Sequence, residues 1–168
     1  EAKKYYLIAY ENGDTYAAFK LAHYYERIEE NFEEAIKYYL IATQKNCDRS
    51  AYKLAIYYEK YEKNYEEAIK YYLISIDKLN GKSMRRLVKY YESIRNYDEA
   101  KKYYLMAIDN GYYRSAYHLA MLFQHVIEDY DEAKKYYLIA IENDIRTAIN
   151  DFACYLETIE ENHLEAEK

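Results

Sequence analysis

Three pairs of basic residues, each pair spaced four residues apart, recur in this chain of 168 residues. They are Arg49 and Lys53, Lys82 and Arg86, and Arg114 and His118. On a helix, residues four apart lie on one face one turn apart, so each pair would present two cations together. Such cations, and Arg above all, bind carboxylates and phosphates. The whole chain has a formal net charge of −6, so these pairs are local concentrations of positive charge in an acidic protein.

The other residues that could carry chemistry lack the arrangement that chemistry needs. His118 and His125 could share a helical face, but no Cys or acidic residue joins them at metal-ligand spacing. Neither Cys47 nor Cys154 has a His in a recognisable nucleophile arrangement, and no Gly-rich phosphate loop occurs. We therefore predict no catalytic site, no metal site and no cofactor, which means that the protein is not an enzyme.

Composition limits the partners and the compartment. With a pI near 5.4, the protein should bind neither nucleic acid nor an anionic membrane. The longest stretch free of Asp, Glu, Lys and Arg, Ser115–Ile127, has 13 residues, too few for insertion into a membrane, which takes about 20. Two cysteines 107 positions apart argue against a disulfide framework. They predict a reducing, cytoplasmic location, with the ER lumen and a virus particle left open.

A ten-residue stretch recurs along the chain. EEAIKYYLIA at Glu33–Ala42 returns as EEAIKYYLIS at Glu66–Ser75, as DEAKKYYLMA at Asp98–Ala107 and as DEAKKYYLIA at Asp131–Ala140. The Ala common to the copies falls at Ala2, Ala35, Ala68, Ala100, Ala133 and Ala166, with spacings of 33, 33, 32, 33 and 33. This regularity is typical of a repeat array. Because the chain starts and stops at nearly the same phase of the repeat, we expect residues 1–168 to be a single array cut from a longer one.

Each copy should form a helix, which we call helix B. Just before each copy stands an Asn or Asp with a Glu three residues later, the pattern of a capping box at a helix start. These pairs are Asn31 and Glu34, Asn64 and Glu67, Asn96 and Glu99, Asp129 and Glu132, and Asn162 and Glu165. Helix B should end near Gly13, Asn46 and Gly111, since Gly and Asn accept the left-handed conformation that terminates helices.

Four copies also place an acidic residue four positions before a Lys, which predicts an ion pair on the exposed side of helix B. The predicted pairs are Glu33 and Lys37, Glu66 and Lys70, Asp98 and Lys102, and Asp131 and Lys135.

A second helix, helix A, should follow each turn. Its spine is a large residue and a small one with another large residue one turn on, which is typical of an amphipathic helix. The spine residues are Leu21, Ala22 and Tyr25; Leu54, Ala55 and Tyr58; Leu87, Val88 and Tyr91; Leu119, Ala120 and Phe123; and Phe152, Ala153 and Leu156. With no Pro and only three Gly in the chain, an all-α protein is predicted, in which stacked hairpins bury a continuous core.

The stretch SAYKLAIYY at Ser50–Tyr58, followed by NYEEAIKYY at Asn64–Tyr72, resembles the Sel1-like repeat, a relative of the tetratricopeptide repeat. The likeness covers nearly the whole chain. The loop between helices A and B lacks that family's Gly-rich insertion, and Ala or Val replaces the Gly after the spine Leu. The resemblance implies a right-handed α–α solenoid of about five two-helix repeats that acts as an adaptor or scaffold for other proteins.

By the same resemblance, positions on helix A line a concave groove. The candidate binding residues there, including the residues just before the spine Leu, are Arg49, Tyr52, Lys53, Lys82, Arg85, Arg86, Lys89, Arg114, Tyr117 and His118. One interpretation is a groove for an acidic peptide, a terminal carboxylate or a phosphorylated segment. The other is that these cations neutralise acidic ends of neighbouring helices, at Glu26, Glu59, Glu92 and Glu157.

Helix B carries a pair of apolar residues after its two Tyr residues. The pairs are Leu7 and Ile8, Leu40 and Ile41, Leu73 and Ile74, Leu105 and Met106, and Leu138 and Ile139. We expect them to be ordinary core, like most of the 27 Tyr. If they face outward instead, they form an apolar ladder that implies a homodimer or another partner. The protein would then be a structural building block of a larger assembly, such as a virus particle.

Overall fold

The computed structural model describes residues 1–76 and 81–166, with side chains up to Thr158. All regular structure in these residues is helical. The α-helices are α1 (Ala2–Glu11), α2 (Thr15–Arg27), α3 (Phe32–Gln44), α4 (Asp48–Tyr57), α5 (Tyr65–Ile76), α6 (Gly81–Ser93), α7 (Tyr97–Asp109), α8 (Arg114–Leu122), α9 (Tyr130–Glu142) and α10 (Arg146–Ala166). Short π-helical turns, Tyr58–Glu62 and Phe123–Ile127, extend α4 and α8. Even-numbered helices are the predicted A helices and odd-numbered ones the predicted B helices.

The chain divides into two compact units, Glu1–Leu87 and Val88–Lys168, with the division inside α6. In unit 1, α2 packs against α3 and α4 against α5, while α1 lies on α2 and α3 on α4. In unit 2, α8 packs against both α7 and α9, and α10 packs against α9. The B helices α3 and α9 thus each contact their own hairpin partner and the A helix that follows.

The predicted helix starts are confirmed at four of the five Asn or Asp caps. The cap side chains accept a hydrogen bond from the backbone N–H of the Glu three residues later, at 3.1 Å for Asn31, Asn64 and Asp129 and at 3.3 Å for Asn96. The fifth prediction, at Asn162, is wrong, because α10 runs unbroken to Ala166. The residue before each of the other four caps is a non-Gly residue at positive φ, so the local sequence alone does not enforce the break.

The ion pairs predicted on helix B are wrong by one residue. Each Lys pairs with the Glu three positions earlier: Lys37 with Glu34 (3.4 Å), Lys70 with Glu67 (3.0 Å), Lys102 with Glu99 (3.3 Å) and Lys135 with Glu132 (3.1 Å). The cap N–H donates to a carbonyl of the preceding A helix, as Asn31 does to Tyr25 at 2.9 Å, so the Glu carboxylate does not close the capping box. The Lys also lies over the next Tyr ring, 5.2 Å from its centroid at Lys70, which draws it away from the acid four positions back.

The predicted ends of helix B are confirmed. Gly13 (φ +90°), Asn46 (φ 62°) and Gly111 (φ 81°) have left-handed backbones just after α1, α3 and α7. The single 32-residue spacing arises in the third A-to-B turn. There the N–H of Asn96 donates to a carbonyl five residues earlier, whereas the other three caps reach back six residues.

Replacing Gly13 with Ala should lower the free energy of unfolding by about 1 kcal/mol, since an L residue with a Cβ is strained at this φ. A Cβ at Gly13 would meet no atom within 4 Å, so the cost comes from the backbone alone. Urea unfolding measures the change. Asn12→Ala, at the neighbouring φ of −82°, is the control and should change stability much less.

The A-helix spine is confirmed in four helices. Leu21, Leu54, Leu87 and Leu119 are fully buried. Beside them, rings of A and B helices stack with centroids 5.5–5.7 Å apart, in the pairs Tyr25 and Tyr38, Tyr58 and Tyr71, Tyr91 and Tyr103, and Phe123 and Tyr136. In α10 the predicted spine is wrong, because Ala153 and Leu156 are exposed and the buried residues are Ala148 and Tyr155. The reason is that α10 packs mainly against α9.

A buried hydroxyl in α4 has no partner among the described residues. Ser50 is fully buried and its Oγ makes no hydrogen bond. One repeat later, Ser83 bonds to Ser75, and Ser75 Oγ also donates to the Tyr72 carbonyl at 2.8 Å. Ala42 occupies the place of Ser75 in the earlier repeat, which leaves Ser50 alone.

Replacing Ser50 with Ala should therefore raise the free energy of unfolding by about 1 kcal/mol, because the variant no longer desolvates an unpaired hydroxyl. Ser83→Ala makes the same chemical change where the hydroxyl is paired, and should give no such gain. Urea unfolding of the two variants beside the unchanged protein measures the difference.

Candidate binding surface on the A helices

The predicted binding residues lie on faces of the A helices that meet within each unit. In unit 1, Arg49 Nη1 donates to the hydroxyl of Tyr16 at 3.4 Å, and the two residues hold the same position in α4 and α2. The helical spacing of the basic pairs then places Lys53 one turn along α4 on the same side. Equivalent positions of consecutive A helices are thus neighbours.

Lys53 is already paired inside unit 1. Its Nζ lies 2.8 Å from Glu26 of α2, and the hydroxyl of Tyr39 donates to the same carboxylate at 2.6 Å. Burial works against the charged form of Glu26, but the hydrogen bonds from Lys53 and Tyr39 outweigh it and lower the pKa of Glu26. Burial and the bond to Glu26 raise the pKa of Tyr39. The result is a Tyr, acid and cation group that joins α3, α2 and α4.

This group should make stability depend on pH. Because the pKa of Glu26 is lower in the folded than in the unfolded chain, its contribution is present above the unfolded pKa and is lost as pH falls through the folded one. Glu26→Gln should therefore destabilise the protein at neutral pH, and the loss should shrink as the pH falls through the lowered pKa of Glu26. Urea unfolding at neutral pH and over a series of acidic pH values tests this, and an equal loss throughout would contradict it.

Arg86 repeats the arrangement one hairpin later. Its Nη1 lies 3.1 Å from Glu59, and Tyr72 donates to the same carboxylate. In both groups the cation and the acid come from successive A helices, as the interpretation with neutralised acidic ends describes. The charges of Lys53 and Arg86 are thus engaged within the chain.

The third group contains His118. Tyr104 donates to Glu92 at 2.8 Å, and the charge of Glu92 acts on His118 of α8. His118 keeps more than a third of its surface exposed, yet neighbouring atoms desolvate the ring enough to lower its pKa despite Glu92. The imidazole is consequently neutral at neutral pH.

In the fourth group the acid is lost and an acid replaces the cation. Gln124 replaces the acid and accepts from Tyr137 at 2.6 Å, while Asp151 of α10 holds the cation position. Asp151 instead accepts from the hydroxyl of Tyr117 at 2.5 Å. Burial, followed by the charge of Asp151, raises the pKa of Tyr137 to about 12. A comparison of the repeats in the sequence shows this change, because the acid and the cation are replaced together, at Gln124 and Asp151. Sequence reasoning missed it.

The remaining predicted cations are exposed. Arg85, Lys89 and Arg114 form no ion pair with the residues that the structure describes, and Arg49 makes only its contact with Tyr16. Lys82 is also exposed, and Tyr52 is half-buried against Tyr72, with ring centroids 6.0 Å apart. In unit 1 the predicted set therefore separates into a paired layer, Lys53 and Arg86, and an exposed layer.

The apolar pairs of helix B are half-buried or exposed, so the expectation that they are core is wrong. None of the ten residues is buried, and Ile8, Leu73, Ile74, Leu105 and Leu138 are 40–42% exposed. The Ala and second Tyr of each copy take the inner side of α3, α5, α7 and α9 instead, which turns the following Leu and Ile outward.

Two further features can be stated for the described residues. Cys47 and Cys154 are free thiols. Across residues 1–76 and 81–166, no group of three or more His, Cys, Asp or Glu side chains is placed to hold a metal ion, and none of the helices has the length and apolar character that a membrane span requires.

The stacked two-helix repeats define an all-α protein of the α–α solenoid class. The family described as Sel1 repeat matches residues 1–14, 15–47, 48–78, 90–112 and 113–145. The chain therefore belongs to the Sel1 repeat family, whose members generally act as scaffolds for protein interactions and are typically not enzymes.

Solved structures share this fold at low sequence identity. A Sel1 repeat protein from Oxalobacter formigenes is 20% identical, with a TM-score of 0.66 over 90% of this chain and 68% of that one. The protein c5321, a protective antigen of uropathogenic Escherichia coli with an SLR fold, is 21% identical, with a TM-score of 0.64 over 82% of this chain. This chain spans 32% of the length of c5321. No curated protein sequence matches it significantly.

Proposed function

We propose that this protein is an interaction scaffold that binds an acidic segment of a partner protein on its A helices. The observation that carries the proposal is that each unit has exposed cations without an ion pair among the described residues, Arg85 in unit 1 and Lys89 and Arg114 in unit 2. Exposed charges left without an internal partner are available to an external anion. The family's general role in protein interactions supports the same function.

The A helices of unit 1 carry the better-defined candidate binding residues. Arg49 and Arg85 can each present a guanidinium fork to a carboxylate or phosphate, and Tyr52 supplies apolar contact beside them. Lys53 and Arg86 lie close by but are neutralised by Glu26 and Glu59, so the contacts with a partner would come from Arg49 and Arg85. In unit 2, Arg114, Tyr117 and His118 occupy the equivalent face of α8.

A pull-down from cell extract with the purified protein, at low and high salt, tests this function. The expected partner binds at low salt, is released at high salt, and is lost with Arg85→Glu. Lys60→Glu changes the net charge equally at an exposed position outside the A-helix face, and should retain the partner. A partner that both variants retain at either salt concentration would contradict the proposal.

We further propose that the protein has no catalytic activity and that it resides in a reducing intracellular compartment. Its free cysteines, Cys47 and Cys154, support the compartment. Thiol titration of protein isolated from its source under non-reducing conditions tests this, with both thiols expected to react after denaturation.

A further inference from the structure

The outward side of helix B carries a charge pattern as well as its apolar pair. A Lys precedes the pair by three residues and an acidic residue follows it by three, so the four lie at i, i+3, i+4 and i+7 on one helical face. The sets are Lys4, Leu7, Ile8 and Glu11 in α1; Lys102, Leu105, Met106 and Asp109 in α7; and Lys135, Leu138, Ile139 and Glu142 in α9. In α3, Gln44 takes the last place, and in α5 the last place, Asp77, lies outside the described residues.

This pattern is self-complementary when two such helices lie antiparallel. A two-fold axis through the midpoint of the apolar pair exchanges the Leu with the residue after it, and exchanges the Lys with the acidic residue. Lys102 of α7 would then face Asp109 of α7 in a second copy, and Lys135 of α9 would face Glu142 of its α9. Opposite charges meet at both ends of each apolar contact, which favours this pairing over the parallel one.

The residues of this face in unit 2 are accessible. Leu105 and Leu138 are 40% and 41% exposed, and Asp109 and Glu142 are exposed. The side chains of Lys102 and Lys135 keep 58% and 55% of their surface exposed although they pair with Glu99 and Glu132. Exposed pairs of this kind stabilise little, so both Lys side chains can take a new partner at small cost.

We propose that two copies of this protein associate through the outward faces of α7 and α9. The α7 helix of each copy packs antiparallel on α7 of the other, and α9 packs on α9, so the contact is isologous and closes as a dimer. Both helices pack against α8 within unit 2, which fixes them as one surface. A second copy fits better than an acidic protein or an anionic membrane, because the face balances each Lys with an acid.

The charge pattern allows a specific test by light scattering and sedimentation. One variant, Lys102→Glu with Lys135→Glu, makes the face acidic, and the other, Asp109→Lys with Glu142→Lys, makes it basic. For each variant alone the dimer dissociation constant should rise at least about tenfold, while an equimolar mixture should form heterodimers. Homodimers of either variant as strong as those of the unchanged protein would overturn the proposal.

The apolar contact is tested separately. Leu105→Asp with Leu138→Asp should abolish the dimer, whereas Ile94→Asp with Val126→Asp places the same charges at apolar residues that are 52% and 47% exposed outside this face, and should leave it intact. Circular dichroism checks that all variants remain helical. A monomeric mass for the unchanged protein at every concentration reached would also refute the dimer. Arg85→Glu should not alter the mass, which separates this proposal from partner binding on the A helices.

Discussion

Replacing Leu119 with Ala should lower the free energy of unfolding by about 3 kcal/mol. Leu119 is fully buried at the spine of α8, where α7 and α9 both pack. The shorter side chain loses its transfer free energy and leaves a cavity, because helices on both sides of α8 cannot both move inward to fill it. Urea unfolding monitored by circular dichroism measures the loss.

The same substitution in α10 provides the control. Leu156 is 36% exposed, so Leu156→Ala removes much less buried surface and should cost under about 1 kcal/mol. Equal losses for the two variants would show that α8 is not held between its neighbours as the structure describes.

Giving the second Tyr, acid and cation group the residues of the fourth group should reveal a coupling of about 2 kcal/mol between Glu59 and Arg86. Glu59→Gln alone leaves Arg86 without its ion pair. Arg86→Asp alone places a second carboxylate beside Glu59, and should be the more destabilising of the two. The double variant reproduces the fourth group, where Gln124 and Asp151 stand at these positions.

Tyr52 makes the rescue possible. In the fourth group Asp151 accepts from Tyr117, and Tyr52 holds the position of Tyr117 in α4. The double variant should therefore recover most of the stability that Arg86→Asp loses, and adding Tyr52→Phe should remove that recovery. Losses that simply add in the double variant would contradict the coupling. Urea unfolding of the unchanged protein, the two single variants and the double variant measures the coupling. Unfolding of the variant that also has Tyr52→Phe tests the rescue.

Much of the fold follows from periodicity within the chain. The repeated Ala, the Asn and Asp caps and the terminating Gly13 and Gly111 each impose a local backbone choice, and neighbouring residues suffice to identify them. The A-to-B turns were not predictable in this way. Glu30 and Lys63 adopt positive φ although neither residue favours it, because the packing of the two helices decides the conformation there.

In the candidate site too, some features follow from local sequence and others depend on how the helices pack. Sequence placed Lys53 and Arg86 on helix A and offered their pairing with acids of neighbouring helices as one of two interpretations. Only the separation of the two helices, which no local pattern contains, decides for that pairing. The apolar pairs of helix B were misjudged for a related reason. Leu40 and Leu73 look like core residues by type, and only the crossing of A and B helices shows that Tyr39 and Tyr72 take the inner positions.

The Tyr, acid and cation groups have a consequence for how the protein unfolds. Lys53 and Glu26 belong to successive hairpins, as do Arg86 and Glu59, so these ion pairs contribute to the coupling between repeats and not to a single hairpin. In an array whose stability is a sum of repeat and nearest-neighbour terms, coupling sets how many repeats open together. Neither the junction of α6 and α8, where His118 stands, nor that of α8 and α10, where Gln124 and Asp151 stand, has such an ion pair among the described residues. Repeats in unit 2 should consequently open less cooperatively than those in unit 1, and hydrogen exchange should be faster there.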